Sequence, residues 1–162
     1  GCLKAFVGLI SRDSRTFGEN SFHTHNLPEN IAELNLCRPY LMKNGNPGVT
    51  MNIIDATSII IDGGPHNSIF HEEMKVAHPN MIIAATDRLA GDSVAVAILQ
   101  YYGTQHSIDK DYLKTPVWQQ RQLVRAAALG LGIDDPQRIE VTGRGVPAAE
   151  LDAIIRLWTS AG

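Results

Sequence analysis

The stretch from Asn80 to Tyr102 constrains this chain most. Met81-Ile82-Ile83-Ala84-Ala85 is an unbroken apolar run of strand length. Thr86-Asp87 follows it. Then comes a helix-length segment with Leu89, Val94, Val96, Ile98 and Leu99 spread around most of its circumference. A strand without polar alternation needs cover on both faces, and a helix apolar almost all round needs neighbours on most sides. Such a unit belongs inside a layered body.

The remaining elements follow from periodicity and punctuation. Leu3, Phe6, Val7 and Ile10 have helical spacing, and residues 11–26 read as a loop. Pro28 suits the first turn of a second helix, with Asn26 as its cap and Ile31, Leu34 and Leu36 as its stripe, ending before Pro39. Turn residues fill 43–48. Val49 to Ala56 and Ser58 to Ile61 read as buried strands, and 66–78 as a loop rich in His and Glu. Residues 103–115 read as irregular. A helix is expected from Pro116 to Leu129, a short strand over Arg138–Thr142, and a last helix from Pro147 through Trp158. Strands alternating with helices predict an α/β fold with a mixed or mostly parallel sheet, flanked by helices on both faces.

Composition removes several classes of function. With 44% hydrophobic and 19% charged residues, the 162-residue chain is no disordered tail. A net charge of -3 gives no basic excess for nucleic acid or an anionic membrane. No run approaches the roughly 20 apolar residues that span a bilayer. The apolar start lacks a charged leader region and a small-residue cleavage site, so a cytoplasmic location is the expectation. Two cysteines, Cys2 and Cys37, cannot form a disulfide scaffold or supply the four thiolates of a usual iron–sulfur cluster. They read as packing residues or incidental thiols.

Ligands of open α/β sheets sit beyond the carboxyl ends of strands. If the strands run parallel, Asp55, the Gly63-Gly64-Pro65 turn and Asp87 share one rim. Asp87 equally suits a helix N-cap. Asp92, with Leu89 and Val96 at i−3 and i+4, needs a cation, a proton or a structural hydrogen bond. Gly63, Gly64 and Pro65 permit a close backbone approach to a ligand, or simply a turn. His23 and His25, two residues apart, point the same way in an extended segment and could meet a metal or an anion; two solvated loop histidines are the alternative. His71-Glu72-Glu73 begins like H-E-x-x-H, but Lys75 stands where the second His belongs.

Several stretches together resemble the domain of unknown function 362 family. The opening Gly1-Cys2-Leu3-Lys4 is similar to its G-x-L-K-N segment, with Ala5 in place of the Asn. The loop holding His23 and His25 follows, then Asn30-Ile31-Ala32-Glu33-Leu34 and Arg38-Pro39-Tyr40-Leu41. Ile54-Asp55-Ala56, Gly64-Pro65 and the run Ala84 to Ala95 continue the order, and Arg138-Ile139-Glu140-Val141 with Gly143 resembles its closing strand. Some members are described as iron–sulfur proteins; this chain has no ferredoxin-type cysteine motif. The resemblance implies that residues 1–162 form one α/β unit, the C-terminal part of a larger domain. It would leave an incomplete sheet, or an exposed apolar face around Leu3, Phe6 and Val7.

Two readings of function follow. In the first, His25, Asp55 and Asp92 are catalytic, and His23, Gly63, Gly64, Pro65 and Asp87 bind a small molecule or a metal, with a redox link by family analogy alone. In the second, the chain is a non-catalytic module whose acidic rim holds a metal or an electron-transfer partner, with another domain, a partner chain or a second copy of itself supplying the missing part.

Overall fold

The apolar run at 81–85 and the segment after Asp87 form the strand and helix their patterns require. The computed structural model describes residues 2–4, 26–37, 51–63 and 74–160. Helix α1 spans Leu27–Leu34. Strands β1 to β4 span Asn52–Ala56, Ile59–Asp62, Lys75–Ala77 and Met81–Ala85. Helix α2 spans Arg88–Gln105, α3 Asp111–Lys114, α4 Arg121–Ala128 and α5 Ala148–Thr159, with single 3-10 turns at Val117–Gln119 and Pro136–Arg138.

The strands are antiparallel, which corrects the expected mixed or mostly parallel sheet. β1 pairs with β4, Ala56 opposite Met81 and Asn52 opposite Ala85; β2 pairs with β3, Ile59 opposite Ala77. These are two arms of one bent ribbon. β1 passes into β2 through Thr57 and Ser58, and β3 returns to β4 through 78–80. At the bend Asn80 takes a left-handed φ of 55° and its N–H donates to the Thr57 carbonyl. A parallel neighbour needs a crossover of a dozen or more residues, usually a helix. Here the strands pair antiparallel, an arrangement that requires no crossover. The returning arm includes Lys75–Ala77, which the residue pattern assigns to a loop: with Ile60 opposite Val76, a short strand forms there by pairing rather than by local preference.

Among the described residues, helices do not flank both faces of this ribbon. Strands β1 and β4 place Met81 and Ile83 toward the core and the long helix α2. The opposite face leaves Met51 58%, Ile53 68% and Ile82 61% exposed. The main core surrounds α2, where Leu89, Ala97 and Ile98 meet Val117 and Leu123 and, from α5, Ile154 and Trp158. Trp158 donates its ring N–H to Ser93 Oγ at 2.8 Å, and Trp118 donates to the Trp158 carbonyl at 2.9 Å.

Two helix readings need adjustment. Asn26 stands at the N-cap of α1, but with φ 48° its side chain makes no capping bond. The helix expected over 116–129 breaks at Gln120, whose φ of −62° and ψ of 126° are extended. Its amide reaches back to the Tyr112 and Thr115 carbonyls at 3.0 and 2.9 Å. Gln100 reaches the same two carbonyls from α2, at 2.6 and 2.7 Å. These side chains accept the task of closing the end of α3, a short helix within the stretch read as irregular.

Candidate functional site

Asp87 sits where β4 ends and α2 begins, and the N-cap reading holds. Its Oδ1 accepts the Ala90 N–H at 2.8 Å. Its Oδ2 accepts the Ile133 N–H at 2.9 Å, which ties the 131–133 segment to the start of α2. A Cβ at Gly132 would stand 2.4 Å from Asp87 Oδ1 and 2.6 Å from Leu89 Cβ, so the close approach depends on glycine there.

One turn later, buried Asp92 receives the N–H groups of Cys2 and Leu3. Burial raises its pKa above the ordinary carboxylate value, and the two amide donors only partly oppose this. Asn35 completes the anchor. It donates to the Leu3 carbonyl and to the Ile31 carbonyl, each at 2.8 Å, and accepts from Arg88 Nη1 at 3.0 Å. Both backbone groups of Leu3 are thereby satisfied in a fully buried position. Leu3 lies inside the core, so the expected exposed face does not hold there; Phe6 and Val7 lie outside the described residues. Cys2 is buried beside Asp92. Desolvation first, then the nearby carboxylate, pushes its thiol up to about 12. Asn35 escapes a reading of the sequence because no spacing links it to Leu3 or Arg88.

The antiparallel ribbon separates the other candidates. Asp55 stands opposite Ile82, near the start of β4, whereas Asp87 follows its end. The two positions are about 10 Å or more apart along the strand, at about 3.3 Å per residue. Asp55 accepts the N–H and hydroxyl of Thr57 at 2.9 and 2.7 Å, and the Thr57 amide holds its pKa below the usual range. Gly63 turns the chain with φ 77°, and its N–H donates to Asp62 at 2.8 Å. Asp62 also meets Lys110 at 3.1 Å, which lowers its pKa. Gly64, Pro65, His23 and His25 lie outside the described residues. The exposed pair Ser58 and His78, 2.8 Å apart, was not singled out by any motif.

What the structure does assemble around Asp87 is a cleft of about 820 Å³. One wall is β4 with the turn to α2. The facing wall is residues 138–147, where the short strand was expected. The floor holds Ala90, Gly91, Val94 and Ile98 of α2 and Ile154 of α5. Arg138, Glu140, Arg144 and Glu150 bring charge to it. Glu150 accepts the Tyr102 hydroxyl at 2.5 Å; burial, then this carboxylate, raises the phenol above its ordinary value. Among the described residues no three His, Cys, Asp or Glu side chains gather as a metal site, and no helix is long and apolar enough to cross a membrane.

Comparison with curated proteins finds no match, and neither does comparison with solved structures. A family profile does match, over residues 1–97. That span holds Leu3, Asn35, β1 to β4, Asp87 and Asp92; the facing wall of the cleft at 138–147, with the likeness read at Arg138–Gly143, lies beyond it. The matched sequence, anchored at Leu3 by Asp92 and closed at Asp87 by the cap of α2, makes this chain a member of the family described as a domain of unknown function, DUF362.

Proposed function

We propose that the chain is a binding module whose site is the cleft between β4 and residues 138–147. The observation that carries this reading is the cleft itself. It runs along β4 to the start of α2, and about 820 Å³ lies within the range of roughly 300–1,000 Å³ typical of ligand sites. The work done by the two acidic residues nearby supports it. Asp87 caps α2 and holds 133, and Asp92 holds residues 2 and 3, so both carboxylates secure chain segments.

The test is a titration with 8-anilinonaphthalene-1-sulfonate, an apolar anion, followed through the backbone amides by NMR. Saturable shifts confined to residues 79–87 and 138–147 are expected. Shifts confined to β1, with Met51 and Ile53 of the exposed sheet face, or shifts that never saturate, would overturn the reading.

A further inference from the structure

The cleft has the walls of a sheet with one strand missing. Among the described residues β4 has a single neighbour, β1. In an antiparallel pair every second residue turns its N–H and C=O away from the partner, so β4 presents a row of main-chain donors and acceptors to the cleft. Among the described residues nothing hydrogen-bonds to that row across the cleft.

The facing wall behaves like a strand without a ladder. Ile139 is extended, with φ −119° and ψ 125°. Ile139 and Val141 pack toward the core while Glu140 and Thr142 are exposed, the two-residue alternation of a strand. Yet among the described residues 140–146 make no main-chain hydrogen bond. Their alternation satisfies packing and leaves the pairing unmade.

The cleft holds about 820 Å³ and runs the length of β4, lined from Pro79 to Asp87. Its floor is formed by Ala90, Gly91 and Val94 of α2.

We infer that the cleft takes an extended segment of a partner polypeptide, apolar at every second residue, which pairs with β4 on one side and residues 139–143 on the other. The two-stranded β1–β4 ladder then becomes a four-stranded sheet lying over α2. Main-chain pairing supplies most of the affinity, and the inward side chains supply selectivity. The inference rests on the cleft being the binding site and names its occupant.

The test uses the full chain, immobilised against a displayed library of random heptapeptides. The best peptide is then synthesised in three forms: unmodified, and N-methylated at alternate residues in each of the two phases. Enriched peptides should be apolar at alternate positions and should shift the amides of 81–85 and 139–143. Because an inserted strand has a wall on each side, methylation in either phase should weaken binding at least tenfold. Loss in one phase alone means pairing with a single wall and overturns insertion. Cleft-shifting peptides that tolerate both methylations overturn insertion but leave the cleft as the site. Peptides that shift only residues elsewhere overturn both readings, and failure to enrich any peptide overturns insertion.

Discussion

At Asp92 two demands meet: a carboxylate removed from water, and two main-chain N–H groups that need an acceptor. Cys2 and Leu3 supply the donors, but burial dominates and raises the folded-state pKa. The folded protein therefore keeps a proton that the unfolded chain has already released. The stability from this site is fully present below about pH 4, the ordinary carboxylate value, and is lost as pH rises through the raised folded pKa. Asp92→Asn removes the titration. Its urea-unfolding free energy should vary less than wild type across that window, and equal slopes would exclude Asp92 as the source. Cys2 next to it supports a second prediction. With its thiol pushed up to about 12 and its side chain buried, Cys2 should resist a disulfide-exchange reagent that modifies exposed Cys37 quickly. One fast equivalent is expected, with the second appearing only in denaturant; two fast equivalents would show residues 2–4 undocked. The type of each residue was legible in the sequence, and so was the need of Asp92 for a partner. The identity of the partner was not, because Cys2 lies 90 positions away and no periodicity spans that distance.

Between β4 and α2 the local signals agree with the structure. The apolar run ends at Ala85, the cap falls on Asp87, and the helix continues to Gln105, a few residues past the expected Tyr102. These boundaries are legible because capping and burial act within a turn or two. The second hydrogen bond of Asp87 depends on Gly132 in the facing segment. Gly132→Ala brings a methyl into Asp87 Oδ1 and Leu89, and should destabilise the fold by about 1–3 kcal/mol, the usual range for overpacking. Asp87→Ala loses the cap, about 1 kcal/mol, together with the Ile133 bond. If the bond to 133 couples the two sites, the double variant should cost less than the sum of the singles, a cycle read by urea denaturation. Strict additivity would argue that the segment is held by something else. Residues 138–142 show the limit of local reading. Their alternation is strand-like in sequence and in packing, but a strand is defined by its neighbour, and none is paired with it among the described residues.

For the whole molecule, the helical core and the sheet have different degrees of completion. α2 is enclosed by α4, α5 and the inner face of the ribbon, whereas among the described residues nothing pairs with the cleft edge of β4. In native-state hydrogen exchange the amides in the middle of α2 should be the slowest. Those of 140–146 should exchange close to unprotected rates, because nothing in the chain's own described residues accepts from them. Protection of 140–146 in the isolated chain would mean the cleft is already filled.

The sequence by itself determined the class of elements and the α/β content, the capping role of Asp87, the need of Asp92 for a partner, and the resemblance to the family. All rest on chemistry within a few residues or on ordered motifs. Only the tertiary structure decided the direction of the strands. β1 and β4 run antiparallel, so Asp55 is carried to the opposite end from Asp87. It also decided that Asp92 faces Cys2 and Leu3, and that β4 and residues 138–147 enclose a cleft. Pairing, burial and enclosure are relations between segments far apart in the chain, set by how the whole path closes.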